Sequence, residues 1–215
     1  MDRFCLNKFD AIVYINLEGR ADRKQTLLDE LKLAGVDEWR LHRIEAVYDP
    51  YFGARGCAKS HMLAIEFARD QGFENVLILE DDCYFKQSPK RVDRMIDQFL
   101  MEVGEWDVFF LGTNVLEHEK APFQGVTRVK LATAAQAYCV NSHYYDELHT
   151  CLQLSVLAMG EGIFPDKAIP HDWSWNNLIS RDKWYCMEIA LHQRPGFSDI
   201  DHQYRDKVHP ERFNG

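Results

Sequence analysis

The sequence predicts an α/β fold built on a mixed, mainly parallel sheet with helices on both faces, and three observations carry that expectation. Val76 to Asp82 reads VLILEDD, four apolar residues running into three adjacent carboxylates. An unbroken apolar run of this kind fits a strand buried on both faces, and its acidic end fits the ligand crevice that open α/β sheets place at the carboxyl ends of their strands. Ala11 to Leu17, AIVYINL, is a second such run, rich in β-branched residues. Across the first half, strand-like and helix-like segments alternate, as in βαβ units.

Taken in order, the Ala11–Leu17 strand turns at Gly19 into a helix carrying Leu27, Leu28, Leu31 and Ala34 at helical spacing, with Gly35 as its stop. Arg20 and Arg23 fall on the turn and first helical turn, where free backbone N–H groups favour anions and a diphosphate would be at home. Ordinary surface arginines paired with Asp22 or Glu18 fit the same pattern. Trp39 to Val47 alternates as a second strand and breaks at Asp49-Pro50. Cys57 to Gln71 has helical periodicity, with Ser60 and His61 in its first turns. As helix neighbours they diverge, which argues against a serine-histidine nucleophile, and His61 is either a buried, hydrogen-bonded histidine or a ligand contact.

Ser88-Pro89 has the form of an N-cap followed by proline at the first helical position. The next helix carries Val92, Met95, Ile96, Phe99 and Leu100, and Trp106 to Leu111 is a buried strand closed by Gly112. Two shorter strands (Val126–Leu131 and Ala135–Val140), a helix (Ser142–Leu157) and a loop (Glu161–Pro170) follow. Asp172 is placed to cap a helix holding Trp173 and Trp175. Trp184 to Leu191 is a last strand, ahead of a polar tail.

At 215 residues with 46% hydrophobics, the chain is read as one domain, residues 1–112 forming a ligand-binding half and 113–215 a second half. The formal charge of −9 argues against non-specific binding to nucleic acid or anionic lipid. No apolar run reaches the length of a membrane span and no signal-like block follows the first residues, so a cytoplasmic protein is expected. The six cysteines form no CxxC pair and are read as reduced thiols.

In extended chain, Glu80 and Asp82 share one face and Asp81 takes the other. Two carboxylates about 5 Å apart repel by roughly 1–3 kcal/mol, and a divalent cation turns that repulsion into attraction. Mg²⁺ or Mn²⁺ shared between such acids and a substrate's phosphates fits better than an all-protein cage.

Several strings then line up in one order: INLEGRADR (Ile15–Arg23), RIEA (Arg43–Ala46), GCAKSH (Gly56–His61), LILEDD (Leu77–Asp82), QAY (Gln136–Tyr138), HDW (His171–Trp173) and PGFSDI (Pro195–Ile200). Together they resemble glycosyltransferase family 25, which includes bacterial lipooligosaccharide galactosyltransferases and the collagen galactosyltransferases. The resemblance implies a GT-A-type fold, a UDP-sugar donor, most often UDP-galactose, Mn²⁺ or Mg²⁺, and transfer to a saccharide or glycoconjugate hydroxyl with inversion. Residues 1–112 become the nucleotide-sugar half and 113–215 the acceptor side. Carried over by position, Asn16, Leu17, Arg20 and Arg23 line the nucleotide pocket with Asp81, Glu45 and Ala46 approach the base, and Ser60 and His61 border the donor. Glu80 and Asp82 hold the metal, completed by His202 or His192. Gln136, Tyr138, Trp173 and Trp175 fall on the acceptor side. The chain departs from the pattern at Ala54, where many relatives carry an acid.

Inverting transfer needs charge neutralisation on the leaving diphosphate, a positioned acceptor hydroxyl and a base opposite the leaving group. Asp172 is the candidate base, beside two tryptophans able to stack on a sugar ring. An N-cap aspartate accepts backbone N–H bonds that lower its pKa, so a plain cap is the competing role, with Asp199 and Asp201 as other bases. A metal-dependent nucleotidyltransferase, a two-carboxylate hydrolase and a non-catalytic sugar-nucleotide-binding module share parts of this pattern. If Asp172 is the base, Asp172→Asn abolishes transfer while UDP binding stays nearly intact; retained activity in that variant eliminates it.

Overall fold

A computed structural model describes residues 5–160 and 171–205 of the chain. Its architecture grows from β1 (Ala11–Asn16), six residues all buried. Alternation along β1 sends Ile12 and Tyr14 to one layer and Ala11, Val13 and Ile15 to the other, so both faces of the strand need a cover. α1 (Ala21–Leu33) supplies one cover through Leu27 and Leu31. β2 (Leu41–Glu45) then pairs parallel with β1, and α2 (Gly53–Asp70) covers the opposite face with Ala64, Ile65 and Ala68.

β3 (Asn75–Glu80) lies parallel on the other side of β1, again with both faces buried. A short β4 (Cys83–Phe85) leaves the sheet, and α3 (Pro89–Glu102) returns along the α1 layer, burying Val92, Met95, Ile96 and Phe99. β5 (Val108–Lys120) and β6 (Thr127–Asn141) form a long antiparallel hairpin, followed by α4 (Tyr145–Ala158) in the α2 layer. The short helices α5 (His171–Ser174) and α6 (Asn176–Arg181) lead to β7 (Trp184–Cys186). β8 (Leu191–Gln193) pairs with β4, and a small hairpin, β9 (Gly196–Phe197) with β10 (Tyr204–Arg205), ends the described chain.

The six-stranded sheet runs β2-β1-β3-β6-β5-β7. β6 alone is reversed within it, antiparallel to β3 and β5, while β1 pairs parallel with β2 and β3, and β5 with β7. The mixed, mainly parallel sheet expected for a GT-A-type fold is therefore present, with helices on both faces. No described helix is long and apolar enough to cross a membrane.

Several boundaries differ from the sequence reading for identifiable reasons. Gly112 does not close β5. A side chain there would bring its Cβ to 2.6 Å from the Leu191 carbonyl, so the glycine marks a close backbone crossing in a strand that continues to Lys120 through bulges. The two strands expected around residues 126–140 are one, its irregularity absorbed at Ala134, which has φ 66°. The expected single strand from Trp184 to Leu191 is two, β7 in the main sheet and β8 beside β4. α2 starts at Gly53, four residues before the expected start, behind an Asp49 carboxylate that accepts the backbone N–H groups of Tyr51 and Phe52. The loop expected at 161–170 lies outside the described residues.

Trp175, expected to stack on a sugar, is fully buried instead. Its indole meets Tyr138 and Trp184 edge-on at 5.3 Å between ring centroids, and Phe110 at 5.9 Å. These rings tie α6, β5, β6 and β7 into one aromatic knot. Truncating a buried tryptophan costs about 3–5 kcal/mol, so Trp175→Ala should lower the urea midpoint of unfolding by that equivalent. A midpoint within error of the parent would return Trp175 to the surface role.

Candidate functional site

The carboxyl ends of β1, β2 and β3 point the same way, and the chain leaving each one contributes to a single cleft. Its wall includes Leu17 after β1, Ala46 to Asp49 after β2, Glu80 to Asp82 at the end of β3, Arg23 on α1, and Cys57, Ser60 and His61 on α2. The far wall is the C-terminal segment, with Gln193, Arg194, Ser198, Asp199 and Ile200. The cleft has a cavity volume of about 120 Å³ and adjoins a hollow of about 660 Å³ lined by Arg20, Glu45 and Ala46.

β3 stops at Glu80, and Asp81 and Asp82 form a turn, so the strict alternation expected of the three acids does not hold. Asp81 turns back toward β1. Asn16, 1% exposed, donates from Nδ2 to Asp81 Oδ2 at 2.7 Å and to the Arg20 carbonyl at 3.0 Å, while its Oδ1 accepts from Arg43 Nε at 3.2 Å. Asn16 is thus a buried bracket beneath the cleft. Arg23 Nη1 reaches both aspartates, at 3.1 Å from Asp81 Oδ1 and 3.3 Å from Asp82 Oδ2, and Gln193 Nε2 donates to Asp82 Oδ2 at 3.0 Å. Asp82 Oδ1 is buried with no hydrogen-bond partner.

Burial pushes the Asp81 carboxyl above the usual carboxylate range, against the pull of Asn16 and Arg23. For Asp82, burial and then the neighbouring Glu80 charge push the carboxyl up to about 7, with Arg23 offsetting only part. An unpartnered oxygen on such a carboxylate is a place where a cation would be stabilised, and Glu80, only partly buried, stands beside it. The residues present therefore fit a divalent ion at Asp82 and Glu80.

The arginines are more committed than their positions in sequence suggest. Arg20 binds Asp22 through Nε and Nη2, each at 3.0 Å, so the surface pairing with Asp22 is present. Its Nη1 also holds Asp199 of the C-terminal segment at 2.5 Å. Arg23 Nη2 donates to the Phe197 carbonyl at 2.6 Å. Any Cβ at Gly53 would overlap the Ile200 backbone, so this segment lies directly on the start of α2.

Ser60 Oγ accepts the Val47 N–H and donates to the Gly56 carbonyl, both at 2.8 Å, which fixes the β2–α2 connection. His61 is the buried, hydrogen-bonded histidine of the first reading, and it also lines the cleft. Its ring is buried and bonded to Tyr138 Oη at 2.9 Å, yet it forms part of the cleft wall, with Nε2 at 3.4 Å from Glu80 Oε1.

Other expected residues fall elsewhere. Tyr138 is fully buried behind His61, and Gln136, 5% exposed, lies on β6 with its carbonyl accepting the Cys83 thiol, so neither is on the cleft surface. Trp173 is half-exposed on α5, off the cleft wall. His202 is exposed at φ 54°, its ring 6.2 Å from that of Phe197, and does not reach the acids' cleft; His192 packs near Tyr84. Asp172 lies within α5 rather than ahead of it, and its side chain is outside the described residues. The sequence reading missed Cys57, Gln193, Arg194 and Ser198. Cys57 was findable, because it stands four residues before His61 on one helical face.

No family model matches the chain. It is 28% identical over 137 residues to human "Inactive glycosyltransferase 25 family member 3", covering 52% of this chain and 23% of that protein. It is 27% identical over 146 residues to "Procollagen galactosyltransferase 1" of Danio rerio, covering 56% and 24%. The chain thus spans about a quarter of the length of these relatives, and its similarity to glycosyltransferase family 25 extends over about half of its own length. Among solved structures, a glycosyltransferase involved in glycosylation of the major capsid of PBCV-1 aligns at 11% identity with a TM-score of 0.41, covering 83% of this chain and 91% of that one. A UDP-glucose pyrophosphorylase complexed with UDP-glucose aligns at 7% identity with a TM-score of 0.48, covering 85% and 75%.

The buried Asp82 charge sets a pH dependence. A carboxyl raised in the folded state adds stability below its unfolded value near about 4, and that contribution is lost as pH rises through about 7. In EDTA, the urea midpoint of the parent should fall across this window relative to Asp82→Asn, whose amide does not titrate. Parallel pH curves for the two proteins would contradict a buried, uncompensated Asp82.

Proposed function

We propose that this chain is a glycosyltransferase that moves a hexose, galactose by family analogy, from a UDP-sugar to a saccharide or glycoconjugate hydroxyl with inversion. The observation that carries the reading is the partnerless, buried Asp82 oxygen in a cleft at the carboxyl ends of the central strands, within the motif that resembles the family's acidic metal site.

Asp82 and Glu80 would hold Mn²⁺ or Mg²⁺, which, when bound, neutralises charge developing on the leaving diphosphate. Asp81 and Asn16 keep the acidic turn in place from below. Arg23, already between Asp81 and Asp82, is positioned to turn a donor toward incoming phosphate oxygens, and Arg20 borders the adjoining hollow. Leu17, Glu45 and Ala46 line that hollow, which suits the nucleoside. The main cleft falls below the roughly 300 Å³ of common small-molecule pockets, so a sugar nucleotide must span both spaces. Asp199 is bound to Arg20 and serves as the anchor of the C-terminal segment. Asp172 stays the proposed base.

A second reading is favoured by one observation: a relative's name calls it inactive. In that case the cleft binds a sugar nucleotide without turning it over. Incubation with a panel of UDP-sugars and Mn²⁺ separates the two. The transferase reading expects metal-dependent UDP release, reduced on the order of 100-fold or more in Asp82→Asn and Glu80→Gln. Thermal stabilisation by UDP-sugars without UDP release, across acceptors, would establish the binding module instead.

A further inference from the structure

Asp82 offers oxygen, a hard ligand, but the α2 side of the cleft carries softer donors. Cys57 and His61 are one helical turn apart on α2, so both side chains leave the same face, toward the end of β3. There Cys57 Sγ, a His61 ring nitrogen and a Glu80 carboxylate oxygen lie within 4.8 Å of one another, and all three residues border the cleft. The 3.4 Å between His61 Nε2 and Glu80 Oε1 equals the edge of a tetrahedron whose ligands sit about 2.0–2.2 Å from a central Zn²⁺. A thiolate at about 2.3 Å completes that face through rotation of the half-buried Cys57 side chain.

The histidine is held in the orientation such a site requires. Its Nδ1 lies 2.9 Å from Tyr138 Oη. With Nδ1–H donating to the phenol oxygen, Nε2 keeps its lone pair on the side of Glu80, which is how an outer hydrogen bond fixes a metal-binding tautomer. Tyr138 is fully buried and packed edge-on against Trp175, so this support cannot drift.

We propose that Cys57, His61 and Glu80 form a second cation site, beside the oxygen seat at Asp82 and sharing Glu80 with it, suited to a borderline-soft ion such as Zn²⁺. Sulfur, nitrogen and one carboxylate make a set that oxygen-seeking Mg²⁺ does not prefer. Three protein ligands leave the fourth position open to the cleft, for water or an oxygen of a bound molecule. Binding displaces the Cys57 thiol proton to solvent and leaves a neutral His61 ring on the ion. The inference rests on the cleft geometry and, because Glu80 is shared with the oxygen seat, is read through the thiolate signal, which that seat cannot give.

Co²⁺ is the probe. Titrated into the reduced, metal-free protein, it should develop a thiolate-to-cobalt charge-transfer band in the near ultraviolet together with the intense visible bands of four-coordinate cobalt. Both are bleached by Zn²⁺, which binds such sites more tightly. The charge-transfer band should vanish in Cys57→Ser and Cys57→Ala, weaken in Glu80→Gln and persist in Cys151→Ser. Zn²⁺ should raise the thermal midpoint of the parent by more than that of Cys57→Ser, which keeps only the oxygen seat at Asp82. Absence of a thiolate band in the folded parent, its survival in Cys57→Ser, or its loss in Cys151→Ser would overturn the proposal.

Discussion

Three consecutive carboxylates at the end of the central strand impose the constraint from which the rest of this structure follows. Glu80, Asp81 and Asp82 sit where a strand buried on both faces emerges, and the two aspartates are 8% and 7% exposed. Like charges held there without compensation cost several kcal/mol apiece. The fold answers with neutral donors from β1 and β8, Asn16 and Gln193, and with a guanidinium from α1, Arg23. The compensation is incomplete, because one oxygen of Asp82 is left bare. That deficit is what the proposed divalent cation would fill.

The same electrostatics recruit the end of the described chain. Arg20 and Arg23 both bridge from α1 to the C-terminal segment, one through Asp199 and the other through the Phe197 carbonyl, and Arg194 returns the gesture by pairing with Glu30 of α1. Gly53 lets that segment lie on the first turn of α2. Residues nearly 180 positions from β1 thereby form the outer wall of a cleft whose floor is made by β1 and β3. Site and closure share their ion pairs, so a phosphate entering beside Arg20 competes with Asp199 for the same donors. Under the proposed function, donor binding and the position of this segment would be coupled for that reason.

The layers of the fold were legible because burial on both faces writes a plain signal: AIVYIN and VLILE are apolar throughout, and the helices between them carry one apolar stripe each. Punctuation was less reliable. Gly112 and the residues around Ala134 read as ends, whereas they are bulges and a close crossing inside long strands, a distinction that depends on what packs opposite. The acidic turn, the two arginines and His61 were visible as ordered motifs, but their partners were not. Nothing in the spacing ties Arg20 to Asp199 or Asp82 to Gln193. Tyr138 and Trp175 carry chemistry able to greet a sugar, and their burial is set by the hairpin and α6 wrapping round them. Amphipathic aromatics serve both ends, and tertiary packing decides between them.

The central claim, that the bare oxygen of Asp82 is a cation seat facing a nucleotide's phosphates, is tested most directly by crystals grown with Mn²⁺ and UDP and mapped at an energy where manganese scatters anomalously. The account expects one strong anomalous peak within bonding distance of Asp82 Oδ1 and of a diphosphate oxygen, with Arg23 drawn away from the aspartates toward the phosphates. UDP bound in the cleft with no peak at Asp82, and Arg23 still between Asp81 and Asp82, would contradict it.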